Sequence, residues 1–300
     1  MPELAIDFIT QLQRIPTDQW KKCDTSIVEQ TVDVGTARLS VTDSGSGAPV
    51  MLLHAGVADR RSWTEFAAAL DGCEPVMRFL SFDRRGFGDS VWEPAEHEHT
   101  GDLIAVLDAC RVDRAVLVGN SQGGRIAIDA ALTHPERVSA LVLIGTAVSG
   151  APGPDTADAA VIEPITKSIE QAEAAGDLDC VNELEAQLWL DGPRGPVGRV
   201  TGKQRRLFLE MNSRALRAAE AGEVRWPADS WNRLASIACP TLVVVGERDL
   251  PHVVHRSETI AETIPGAEFI RLLDCAHLPA LEDPIGVANI LRPFFAGLPI

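Results

Sequence analysis

Three residues of this chain have types and positions suited to nucleophilic catalysis: Ser121, Asp249 and His277. A serine hydroxyl is a poor nucleophile at neutral pH until an imidazole takes its proton. The imidazole needs a carboxylate on its other nitrogen, to fix the tautomer and stabilise the imidazolium. Ser121 lies in Gly119-Asn120-Ser121-Gln122-Gly123, a G-x-S-x-G pattern. Such a turn is tight and strained, and it needs small residues two before and two after the serine. An ordinary turn with a serine N-cap fits the same five residues, so the rest of the chain has to decide.

Each of the three follows an expected strand. The apolar run Ala115–Val118 ends at Gly119, and a helical pattern through Ile126, Ala127, Ala130 and Ala131 runs to Pro135. The run 241–245 ends in Gly246-Glu-Arg-Asp249, and 269–273 ends in Asp274-Cys-Ala-His277. Further strands are expected at 27–43 (a hairpin), 50–53, 76–82 and 140–144, with a helix at 101–110 and a loop at 44–49. Strand and helix alternate and the strands are apolar, which predicts a parallel sheet covered on both faces. All three residues then stand at the carboxyl edge of one sheet, where open α/β sheets bind ligands.

The alternation stops at Ser149 and resumes near Pro240. Residues 150–236 read as a helical insertion, with helices at about 156–175, 178–190 and 203–221, lying over the strand ends. Residues 1–149 and 237–300 form the core. Residues 1–20 pattern as an amphipathic helix, an arm for the core or for a second subunit. The pattern leaves both open, so a homodimer is one expectation.

The composition is that of an ordinary globular chain, and 300 residues bury a sizeable core without disulfides or metals. A net charge of −16 argues against nucleic acid and anionic membranes as partners. No run reaches the roughly 18 apolar residues of a membrane span. No secretory signal is visible, so the expected compartment is the cytoplasm. The six cysteines show no C-x-x-C spacing and no metal-site spacing from histidines, and Cys110 and Cys275 read as small buried residues. No P-loop lysine follows the glycines around Ser121. No cofactor and no metal are expected.

Other acids and bases compete less well. Asp274 reads as a turn cap, Glu282 and Asp283 as helix-start caps, and Asp83 as a tie within its own turn. His252 and His255 read as loop residues after Asp249. His97, His99 and His134 read as solvated.

From about residue 27 onward the chain resembles the lid-bearing α/β-hydrolases, a group with lactonases, carboxylesterases, haloperoxidase-like enzymes and meta-cleavage C–C hydrolases. The resemblance rests on His54-Ala-Gly56, Asp83-Arg-Arg-Gly-Phe-Gly88, Gly119 to Gly124, Gly246 to Asp249, and His277 with Pro284 following. The order Ser, Asp, His is that of the family. His54-Ala-Gly departs from the commoner His-Gly-x form. The resemblance implies Ser121 as nucleophile, Asp249 and His277 as its partners, and the backbone N–H groups of Gly56 and Gln122 as oxyanion donors. It also makes His54 an anchor of its loop. Val57, Trp189 and Met211 are expected to line the substrate site. The expected substrate is a small or medium carboxylic ester or lactone. Asn120 resembles the C–C hydrolases, whereas Leu278 departs from the tryptophan they often have. A non-catalytic binder on the same fold is the third reading.

Overall fold

The computed structural model describes residues 27–72, 75–227 and 229–299. The expected arm at 1–20 lies outside them. Nine strands form one sheet: β1 Val28–Val34, β2 Ala37–Gly45, β3 Ala48–Leu53, β4 Met77–Phe82, β5 Val91–Trp92, β6 Ala115–Asn120, β7 Val138–Ile144, β8 Thr241–Gly246 and β9 Glu268–Leu272. Their order is β1-β2-β4-β3-β6-β7-β8-β9, with β5 beside β2. β2 pairs antiparallel with β1, β4 and β5, and every pair from β4 to β9 is parallel.

The central strands are mostly apolar because both of their faces are covered. In β6, Ala115 and Leu117 join one core cluster, with Leu103 and Ile126 of helices α2 (His99–Ala109) and α3 (Gln122–Thr133). Val116 and Val118 join the opposite cluster, with Phe66 of α1 (Thr64–Leu70) and Leu291 and Phe295 of α9 (Pro284–Gly297). The strand order reverses between β3 and β6, which pair as Leu53 with Gly119 at their carboxyl ends. A reversal of this kind opens a crevice at that edge.

Between β7 and β8 the chain leaves the sheet and forms helices α4 (Thr156–Ala174), α5 (Leu178–Glu185) and α6 (Gly202–Leu216). The neck of the excursion is closed by the Trp231 N–H, which donates to Ser149 O at 2.9 Å. Helix α7 (Pro251–Thr263) follows β8, and the short α8 (Pro279–Glu282) precedes α9. Among the described residues, no helix is long and apolar enough to cross a membrane.

Several sequence expectations need correction. The expected loop at 44–49 shrinks to two residues, because β2 and β3 reach Gly45 and Ala48. The helix expected to 190 gives way at Ala186–Asp191 to one π-helical turn. The helix expected over 203–221 ends at Leu216, and the chain beyond it pairs with residues 95–97 instead; the His97 N–H donates to Glu223 O at 3.0 Å. This pairing buries His97 and His99, at 6% and 5% exposure, where solvated loops were expected. His252 and His255 stand in α7, not in a loop: Pro251 takes the first helical position, where its missing N–H is no loss.

Candidate active site

Strand β6 delivers Ser121 in a backbone conformation that serine rarely adopts, φ 55° and ψ −114°. Three contacts hold it there. Its N–H donates to Ile144 O at 2.8 Å, and its carbonyl accepts from Arg125 and Ala147 N–H at 3.1 and 3.2 Å. The glycines around it are spatial necessities. A Cβ on Gly123 would lie 2.1 Å from Leu53 O, and one on Gly124 would lie 2.2 Å from Thr146 Oγ1. The start of α3 can therefore press against β3 only as glycine. Strain of this size persists where the surroundings over-determine it, and it clusters at functional sites.

Strand β8 delivers Asp249 and the turn after β9 delivers His277; they are 4% and 3% exposed. His277 Nδ1 lies 2.9 and 2.8 Å from the two oxygens of Asp249. An ionised carboxylate only accepts, so Nδ1 carries the proton and Nε2 is left with a lone pair. Asp249 Oδ1 also accepts the Leu250 N–H at 2.7 Å, which fixes the carboxylate from behind. The His277 backbone is held at both ends. Its N–H donates to Trp189 O at 3.2 Å, and its carbonyl accepts from Asn120 Nδ2 at 2.9 Å. Asn120 also donates to Ile144 O, the carbonyl that holds Ser121. Gly145 closes the set: a Cβ there would lie 2.9 Å from Asp249 Oδ2 and 3.3 Å from His277 Nδ1. Asp249 and His277 thus meet beyond β8 and β9, and Asn120 ties the His277 backbone to the turn that carries Ser121 at the end of β6.

Gly56 and Gln122 also face one another. A Cβ on Gly56 would come 3.3 Å from Gln122 Oε1, and Gln122 is the first residue of α3. A first helical residue has no intrahelical partner for its N–H, and the helix dipole adds positive potential there. His54 anchors this loop from inside. Its Nδ1 donates to Ala55 O at 2.8 Å, and its Nε2 accepts the Arg84 N–H at 3.2 Å. Burial, with the Arg84 guanidinium beside it, holds His54 well below the usual histidine range. It is a neutral strut. Burial likewise lowers Arg84 to about 9. Asp83 ties its own turn, accepting Asp89 N–H at 2.8 Å, and also takes Arg60 N–H at 2.8 Å.

From the insertion, the Trp189 ring lies 4.7 Å from the His277 ring, in the π-helical turn. Val57 and Trp189 are half-buried in one apolar cluster with Met211. Met211 itself is 1% exposed, and its Sδ accepts the Asp59 N–H at 3.4 Å. It supports the loop beside Gly56 from beneath and presents almost no surface to a ligand.

The remaining candidates fall outside the constellation. The Asp274 side chain is 92% exposed and caps no turn; it accepts from Arg248 at 3.1 Å. Asp283 is a helix cap, accepting the Gly286 N–H at 3.0 Å. Cys275 is buried, and burial together with Glu282 pushes its thiol up to about 12, which makes it inert as a nucleophile. His97, His99 and Asp102 each bring one metal-ligating atom within 4.8 Å of the others. Both Asp102 oxygens are taken by Arg85 at 2.9 and 3.0 Å, and Arg84 and Arg125 also face His99. That surplus of positive charge opposes a cation.

Two side chains that hold the His277 backbone were not legible as such. Asn120 carried only a family likeness, with no sign that its side chain would hold the His277 carbonyl. Glu282 read as a helix-start cap, whereas its carboxylate accepts from the backbone on both sides of His277. The five-residue spacing from His277 to Glu282, with Pro279 between, was the available signal.

Three proteins are similar to this chain. A 2-hydroxymuconate semialdehyde hydrolase of Pseudomonas sp. (strain CF600) is 28% identical over 86% of this chain and 90% of its own. The structure of a thermophilic esterase from Thermogutta terrifontis superposes with a TM-score of 0.65 at 26% identity, covering 90% of this chain and 98% of that one. The structure of Est816, described as an N-acyl homoserine lactone degrading enzyme, does so with a TM-score of 0.63 at 27% identity, covering 88% and 100%. The model of the alpha/beta hydrolase family matches residues 50–290. That stretch runs from β3 through α9 and includes Gly56, Ser121, Asp249 and His277, so the chain belongs to the alpha/beta hydrolase family and is a hydrolase.

Proposed function

We propose that this hydrolase cleaves a carboxylic ester or lactone through an acyl-enzyme on Ser121, with Asp249 and His277 completing a triad. The two-oxygen grip of Asp249 on His277 Nδ1 carries the reading, because it leaves Nε2 as the base. The serine Oγ attacks the carbonyl carbon while its proton passes to Nε2. The oxyanion that forms is met by the N–H groups of Gly56 and Gln122. Collapse expels the alcohol, which takes the proton from the imidazolium. Water then attacks the acyl group by the same route and releases the acid, restoring Ser121. In a lactone the alcohol and acid remain one molecule. Residues 150–236 act as a lid that sets substrate choice. Val57 and Trp189 contact the substrate, and Met211 backs them.

Asn120 and the 2-hydroxymuconate semialdehyde hydrolase relative favour a second reading, hydrolytic C–C cleavage of a ring-fission product or β-diketone at the same residues. A panel of p-nitrophenyl esters, lactones and ring-fission products separates the two, run beside a fluorophosphonate probe for Ser121. Ester or lactone turnover with a single label on Ser121 is expected. Turnover confined to ring-fission products would install the second reading, and a wild type with no label and no turnover would reject both.

A further inference from the structure

The proposed cycle does not use Glu282, yet its side chain is enclosed to 3% exposure beside the imidazole loop. Its Oε1 accepts the Ala276 N–H at 3.0 Å and the Leu278 N–H at 3.1 Å; Oε2 accepts the Ala276 N–H at 2.9 Å. These are the residues on either side of His277. The carboxylate also pairs with Arg199, which comes from the insertion. That guanidinium donates further to Leu190 O at 2.6 Å, Asp191 O at 2.9 Å and Asp274 O at 2.7 Å. Leu190 and Asp191 end the π-helical turn whose Trp189 carbonyl receives the His277 N–H. A helix end leaves carbonyls without intrahelical donors, and here one arginine supplies them.

We propose that Glu282 and Arg199 are positioning residues for His277: the carboxylate fixes the backbone on both sides of the imidazole, and the guanidinium fastens the helical insertion to that loop. This extends the reading of His277 as general base. The lid is therefore joined to the catalytic loop at a defined point, and the two hold one register.

The clamp also responds to acid. Arg199 faces Glu282 from the insertion, and the Cys275 thiol faces it from its own loop, with Asp274 and Asp283 also acting on that thiol. Burial outweighs Arg199 and raises the Glu282 carboxyl to about 6. A proton on Glu282 removes the charge that holds Arg199. The tie between insertion and imidazole loop is therefore weakened in mildly acidic solution.

Three variants test the clamp. Glu282→Ala removes both acceptors. Glu282→Gln keeps the shape and one accepting oxygen but turns an NH2 towards Arg199. Arg199→Met removes the guanidinium alone. In Glu282→Gln and Arg199→Met, kcat should fall about 10- to 100-fold, as for other groups that orient a catalytic residue. KM should move by less than about threefold, because the lost interaction acts in the transition state. Fluorophosphonate labelling of Ser121 should slow in step. Hydrogen exchange reads the clamp without turnover: the Ala276 and Leu278 amides should exchange at least about tenfold faster in Glu282→Ala than in wild type. A kcat within about twofold of wild type in folded Glu282→Gln and Arg199→Met would overturn the proposal, as would unchanged exchange at those amides in Glu282→Ala. A wild type that takes no label would defeat the hydrolase mechanism instead, and the exchange result would still decide the clamp.

Discussion

Ser121 and Asp249 are the residues on which chemistry and geometry coincide. In the proposed mechanism, removing the Ser121 hydroxyl leaves no nucleophile, so Ser121→Ala should lose on the order of a millionfold in kcat while keeping the wild-type fold. Residual ester turnover above about a hundredth of wild type in clean protein would contradict that role. The choice of acid is tested by two asparagines. Asp249 is enclosed and grips Nδ1 with both oxygens, whereas Asp274 faces solvent and pairs with Arg248. Asp249→Asn presents a donor where Nδ1 needs an acceptor, and should lower kcat roughly 10⁴-fold. Asp274→Asn should lower it about tenfold at most. Assayed side by side, a larger loss at Asp274 would reverse the assignment.

At the scale of elements, Trp189 and Met211 separate two jobs within the insertion. Trp189 is half-buried with its ring on His277, so Trp189→Ala should change relative rates among esters of different acyl length. Equal change for every ester would mean that the ring sets no selectivity. Met211, on α6, is sealed against the loop carrying Asp59, so Met211→Ala should act through a cavity. We expect it to lower stability by about 2–5 kcal/mol in a denaturant titration, with selectivity unchanged. The sequence carried the difference between core and insertion plainly, because buried parallel strands are unbroken apolar runs that change places with helical patterns. The same runs put Ser121, Asp249 and His277 at strand ends. The clamp was not legible, because Glu282 and Arg199 are 83 residues apart and no local pattern encodes their meeting. His97 and His99 looked solvated for a related reason: the segment around Glu223 that buries them pairs from more than a hundred residues away. The π-helical turn was read as plain helix, because the apolar spacing of Ala186, Leu188 and Leu190 does not distinguish the two.

At the scale of the whole molecule, buried ionisable groups act against one another as the pH falls. His54 and His99 are held well below the usual histidine range, by burial first and Arg84 second. Unfolded imidazoles take up protons as the pH falls through about 6.5, and these two do not, so they remove stability from that pH downward. Asp83 and Glu282, raised by burial to about 6, bind protons in the folded state first. They return stability as the pH falls from about 6 towards the ordinary carboxyl range of ~4.3. Removing one histidine should expose the carboxyl side of this balance. In His99→Gln, the Tm at pH 5 should rise relative to that at pH 7.5 by roughly 2–4 °C more than in wild type. Scanning calorimetry at the two pH values measures it, and an identical difference in both proteins would remove His99 from the account.

The neck at Ser149 and Trp231 has an evolutionary consequence. The insertion departs from β7 and returns to β8, two strands already paired to one another, through an opening closed by one backbone hydrogen bond. Doubling the length of such an excursion adds only about 0.6 kcal/mol of closure entropy. A lineage can therefore exchange, lengthen or trim what hangs from this neck and acquire new substrates without redesigning its sheet. Each replacement inherits two obligations: a cation to meet Glu282 and a carbonyl to receive the amide of His277.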